Sequence, residues 1–148
     1  MTNKPLPDPL DRSADPFNRL VAIMARLRAP GGCPWDREQT HDSLLPYLIE
    51  ETYELVDAIE SGNAQDVCEE LGDVLFHILF LTRMFEEAGD FDIEAVAERI
   101  TEKMVRRHPH VFGPESVESV DEVKLKWRDI KKREKMPARR TSLLDSIP

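Results

Sequence analysis

Five carboxylates, Glu50, Glu51 and Glu54 followed by Glu70 and Asp73, lie inside two segments that otherwise carry the apolar pattern of buried helix. Removing an ionised carboxylate from water costs several kcal/mol unless positive charge compensates it. No Lys or Arg occurs between Arg37 and Arg83, so the chain supplies no local counter-charge. A divalent cation is the expected partner. At 100° per residue, Glu50, Glu54 and Asp57 fall within about 60° of one another on one helix, with Glu51 about 60° to one side of Glu54. Asp66, Glu70, Asp73 and His77 make a similar stripe on the next helix.

Two such stripes facing each other form an oxygen-lined pocket, and hard oxygen donors suit Mg²⁺, with Mn²⁺ as a substitute. A di-iron site of the ferritin kind needs Glu-x-x-His on two helices, whereas the one such spacing here, Glu38 to His41, falls in a segment expected to be loop. A Ca²⁺ site of purely structural purpose ranks last, because helix-borne pairs at i and i+3 do not supply about seven flexible ligands. The competing view is that these acids are the solvated face of amphipathic helices, which fits Asp57, Glu60 and Glu69 best. It fits Glu54, Glu70 and Asp73 less well, because Val67 to Leu81 is apolar on nearly every side.

The elements that must carry these residues are all helical. Leu20, Ile23, Met24 and Leu27 recur at helical spacing from Phe17 to Arg28, and Pro30-Gly31-Gly32 ends that helix before a loop holding Cys33-Pro34-Trp35-Asp36. A second helix is predicted from about Ser43 to Glu60, with Pro46 in its first turn. A third runs from the Asn63 cap, with Asp66 completing a capping-box-like pair, to about Glu87. Asp92 opens a fourth that ends near Arg107 before His108-Pro109, and Ser119 with Glu122 opens a basic helix to about Lys135. No segment alternates as a strand does. The fold class is therefore all-α, a bundle of four to five helices with short links.

With 148 residues, 41% of them hydrophobic, the chain can bury one core. We divide it into a flexible Pro- and Asp-rich arm (1–15), a catalytic domain (16–136) and a C-terminal tail (137–148). Residues 124–140 carry a net charge of +7 within a chain whose total is −9. The body is thus strongly acidic, which argues against nucleic-acid binding. Cys33 and Cys68 form neither a disulfide framework nor a zinc knuckle, and Val74 to Leu81 is too short to span a bilayer. A cytoplasmic location without membrane association is expected.

Glu50-Glu51-Thr52-Tyr53-Glu54, fifteen intervening residues and then Glu70-Leu71-Gly72-Asp73 resemble the MazG family of nucleoside triphosphate pyrophosphohydrolases, whose signature is Glu-Glu-x-x-Glu followed by Glu-x-x-Asp. Gly32 to Asp36 with Gln39-Thr40, Arg106 to Phe112, and Trp127-x-x-Ile130-Lys131 extend the likeness in the same order, over roughly Phe17 to Glu134. The resemblance implies hydrolysis of a nucleoside triphosphate between the α and β phosphates in a Mg²⁺-binding helical bundle. Glu51, Glu54, Glu70 and Asp73 match the metal ligands, and Glu50 is left to bind a further ion or to orient the attacking water. Lys103 and Arg107, one helical turn apart, become candidates for phosphate contacts, with Lys131 a weaker one. Trp127 and Trp35 are candidates for stacking on the base, although a Trp among helices is as often a core anchor. Arg106 fits the ordinary preference for basic residues at a helix C-terminus, and His77, His108 and His110 fit structural roles.

The apolar third helix is hard to bury in so small a bundle, so a homodimer or higher homo-oligomer is expected, as the resemblance also implies. The alternative function is a non-catalytic nucleotide-binding or adaptor bundle that docks through its basic C-terminal helix. Five acids placed for a polyanion argue against it.

Overall fold

A computed structural model describes residues 5–134. The described residues form helices α1 (Pro16–Arg28), α2 (Pro34–Glu38), α3 (His41–Ser61), α4 (Ala64–Glu87), α5 (Ile93–Arg107), α6 (Pro109–Phe112) and α7 (Val120–Glu134), and no strand. They fall into two compact units that divide after Val96. The expected tail at 137–148 and the end of the basic helix at Lys135 lie outside the described residues, as do residues 1–4 of the arm. No helix among the described residues is long and apolar enough to cross a membrane.

In the first unit, α3 and α4 form a helical hairpin, α1 packs on α4, and α2 packs on α1. Met24, Leu44, Phe80 and Met84 make the innermost cluster, with Phe76 and Leu81 packed against it. The hairpin turn is built by two residues. Gly62 adopts φ +77°, which only glycine takes readily, and its N–H closes α3 on the carbonyls of Ala58 and Ile59. Asn63 then caps α4 by accepting from the Gln65 amide rather than from Asp66.

Two short helices occupy stretches expected to be loop. Pro34 and Pro109 stand at the first helical turn of α2 and α6, where a missing N–H costs nothing, so each prolines starts a helix instead of blocking one. Helix α3 begins two residues earlier than expected, because Thr40 and Ser43 form a reciprocal capping box. Pro46 consequently sits in the second turn of α3, not the first.

The described part of the arm is held to α1 by Arg19, whose Nε and Nη2 donate to the Pro9 carbonyl at 3.2 and 3.1 Å. The turn after α1 is tightly constrained. A Cβ at Gly32 would overlap the carbonyl oxygens of Leu27 and Arg26, and the neighbouring Cys33 amide donates to that same Leu27 carbonyl at 2.8 Å.

In the second unit, Arg106 and Arg107 at the end of α5 both pair with Glu134 at the end of α7, and Lys126 pairs with Glu115 at 2.8 Å. Trp127 lies edge-on to His108 at a centroid distance of 5.2 Å. Ser119 accepts from the Glu122 amide as expected, but Glu122 reaches back to the Glu118 amide rather than to that of Ser119, so only half of the expected capping box is made on α7.

Candidate active site

The α3–α4 hairpin brings residues 19 to 22 positions apart into one cluster. Glu51, Glu70 and Asp73 each offer a carboxylate oxygen, and the three oxygens lie within 4.8 Å of one another. Glu51 and Glu70 are half-buried, whereas Asp73 is exposed. Glu70 Oε2 is enclosed and has no hydrogen-bond partner among the described residues. Among the described residues, no ion pair involves any of the five predicted carboxylates.

The electrostatics follow from that crowding. Glu51 is held above the ordinary carboxylate range first by loss of water, then by the Asp73 charge, with His77 acting in the opposite direction. Glu70 is raised by the same loss of water and then by Glu54, Asp73 and Glu51. His77 is held by its Nδ1 donating to the Asp73 carbonyl at 3.1 Å, a contact within one turn of α4.

Glu54 lies outside the three-oxygen cluster, yet it is the strongest charged neighbour acting on Glu70. It and Glu50 are exposed on α3. Glu50 acts on Glu51 less than Asp73, His77 or Glu54 does. Asp57, Glu60 and Glu69 are exposed, as a solvated helix face requires.

Trp35 is 50% exposed on α2, with its ring edge-on to Tyr47 at 5.9 Å. Its segment is fixed from behind by Arg28, whose Nη1 donates to the Asp36 carbonyl at 2.6 Å while the rest of the guanidinium binds Glu87. Nothing local in the sequence marks Arg28 for this task.

In the second unit, Lys103 is half-buried on α5 one turn before Arg107, and Lys131 is half-buried in the last turn of α7. Trp127 Nε1 is enclosed without a hydrogen-bond partner among the described residues, as is His110 Nδ1. His108 Nδ1 donates to the Met104 carbonyl at 2.6 Å, a structural bond at the end of α5. The pairing of Arg106 and Arg107 with Glu134 escaped sequence reasoning, because the residues are 27 and 28 positions apart and each is an ordinary helix-end residue.

Residues 39–112 match the MazG nucleotide pyrophosphohydrolase domain. The nucleoside triphosphate pyrophosphohydrolase of Escherichia coli is 46% identical over 133 residues, covering 89% of this chain and 51% of that protein. The nucleoside triphosphate pyrophosphohydrolase/pyrophosphatase MazG of Thermotoga maritima is 51% identical over 119 residues, covering 80% of this chain and 45% of that protein. This chain spans about half or less of the length of the curated relatives it matches. A crystal structure of a mazG-related protein from Thermotoga maritima superposes with a TM-score of 0.65 at 30% identity, covering 77% of this chain and 97% of that one. The matched segment runs from the capping turn before α3 through both acidic helices to α6, and a solved relative is covered almost end to end; the chain belongs to the MazG family.

Proposed function

We propose that this chain hydrolyses nucleoside triphosphates between the α and β phosphates, releasing a nucleoside monophosphate and pyrophosphate in the service of nucleotide-pool control. The observation that carries this reading is the cluster of Glu51, Glu70 and Asp73 oxygens, together with an enclosed Glu70 oxygen that has no partner among the described residues. An all-carboxylate donor set selects a hard divalent cation, Mg²⁺ or its substitute Mn²⁺. The raised Glu51 and Glu70 are what an acid cluster awaiting a cation should show. When bound, the metal supplies the positive charge that lets a polyphosphate approach these acids and polarises its phosphoryl oxygens.

Glu51, Glu70 and Asp73 would hold the ion, with Glu54 completing the set. Glu50 is assigned to accept a hydrogen bond from the attacking water. Lys103, Arg107 and Lys131 are assigned to phosphate oxygens, and Trp127 and Trp35 to the base, on the strength of the family resemblance. The names of the relatives, nucleoside triphosphate pyrophosphohydrolases, support the same reaction. We take 16–136 as the catalytic domain and place the enzyme in the cytoplasm.

A homodimer completes the proposal, because α3 and α4 expose Ile49, Ile59, Leu71 and Ile78. Exposed apolar side chains on both helices of the hairpin favour burial against a second copy.

The test is incubation of the purified protein with a mixture of nucleoside triphosphates and Mg²⁺, followed by phosphorus NMR. Monophosphate with pyrophosphate is the expected product pair. Diphosphate with orthophosphate, or no turnover, would contradict the proposal.

A further inference from the structure

Glu134 is clamped between two guanidinium groups. Arg107 donates from Nε and Nη2 to its Oε2 at 3.1 and 2.6 Å, and Arg106 donates from Nε to its Oε1 at 2.8 Å. A recess of about 300 Å³ opens beside the clamp, lined by Arg106, Ile130, Arg133 and Glu134. Arg133 also lines that recess, so further positive charge borders the space beside the two guanidinium groups that hold the carboxylate. Guanidinium groups bind planar and tetrahedral oxyanions through paired N–H donors, and a phosphate carries more charge and more acceptor oxygens than a carboxylate.

We infer that Arg106 and Arg107, with Arg133 lining the adjoining recess, form a binding site for a phosphate-class oxyanion and that Glu134 is its built-in occupant, displaced when the phosphates of a polyphosphate bind. The inference rests on the proposed triphosphate substrate and deepens it: Arg107 meets phosphate only after Glu134 has let go. Arg107 is mostly buried, with 15% of its side chain exposed, so its guanidinium is oriented by Glu134 before the ligand arrives. Arg106, 56% exposed, is free to swing with an incoming anion. A site already occupied by an internal competitor has an apparent affinity lowered by the fraction of time the competitor is out. Glu134 thereby sets how tightly phosphate is held and how readily it leaves.

The probe is inorganic pyrophosphate, titrated calorimetrically in excess EDTA so that the carboxylate cluster contributes no metal-bridged binding. Glu134→Gln keeps the shape but removes the charge, and it should tighten pyrophosphate binding about five- to tenfold. Arg133→Gln should weaken binding in the wild-type background. An unchanged or weaker affinity in Glu134→Gln would overturn the inference. Should that variant fold poorly, the wild type answers by itself: pyrophosphate should move the Nε–Hε resonances of both Arg106 and Arg107, and resonances that stay fixed at saturating pyrophosphate would overturn it equally. The two proposals fail separately, because binding in EDTA reads the arginines, whereas pyrophosphate release in Mg²⁺ reads the carboxylate cluster.

Discussion

Arg28 and Glu87, 59 positions apart, form a two-pronged ion pair: Nη2 lies 2.7 Å from Oε2, and Nε lies 3.1 Å from both carboxylate oxygens. The same guanidinium caps the Asp36 carbonyl and lies over the Phe80 ring, so one side chain ties the end of α1 to α4 and to the segment bearing Trp35. Arg28→Met is expected to lower the unfolding free energy by about 1.5–3 kcal/mol in urea titrations, and Arg28→Lys should recover little of it, because an ammonium cannot make the fork. The pH dependence has a definite sign. Glu87 sits below the ordinary value of 4.5, chiefly through its hydrogen bond from Arg28 and with Arg83 adding to it. Its contribution is present above that ordinary value and is lost as pH falls through the depressed one, so Glu87→Gln should flatten the acid limb of the stability curve.

The carboxylate cluster should behave in the opposite way. Glu51 and Glu70 are raised in the folded chain, so without divalent cations their ionisation costs stability as pH rises from the ordinary value of 4.5 through their raised range. Added Mg²⁺ binds the ionised forms and should therefore raise the melting temperature more at pH 8 than at pH 5. At ten times its dissociation constant the gain is about 1.4 kcal/mol. An equal shift at both pH values would count against a carboxylate site.

Gly32 gives a sharper test of the turn that leads into α2 and Trp35. Its missing Cβ leaves room for the carbonyls of Arg26 and Leu27, and backbone on both sides leaves little freedom to yield. Gly32→Ala should cost about 2 kcal/mol or more in chemical denaturation, well above an ordinary surface substitution.

The exposed apolar residues of α3 and α4 predict a mass near twice the 17.0 kDa of one chain in light scattering at micromolar concentration. Leu71→Asp with Ile78→Asp should give a monomer of lower stability. A monomeric wild type would remove the dimer from the proposal.

Most of the long helices are legible in the sequence because their caps are local: Asn63 before α4, Asp92 before α5, whose Oδ1 accepts from the Ala95 amide at 2.8 Å, and Ser119 before α7. The acidic stripes follow from the same periodicity, and Glu70 with Asp73 is simply one turn of α4. Helices α2 and α6 are not legible, because Pro34 and Pro109 signal a break and a start with the same residue. The closeness of Glu51 to Glu70 and Asp73 depends on the register of two helices across the Gly62-Asn63 turn, which no local pattern encodes. Glu54 shows the limit: it shares the stripe and acts strongly on Glu70, yet it is not one of the three clustered carboxylates. Long-range pairs such as Arg28 with Glu87 and Arg107 with Glu134 have no sequence signature at all.

Pyrophosphate release by Glu70→Ala and Asp73→Ala, measured beside Mn²⁺ binding on the same folded samples, bears most directly on the claim that these carboxylates hold the catalytic cation. Both variants are expected to lose at least ~100-fold in turnover together with their metal affinity. Near-normal pyrophosphate release in either one, with its helical content intact, would contradict it.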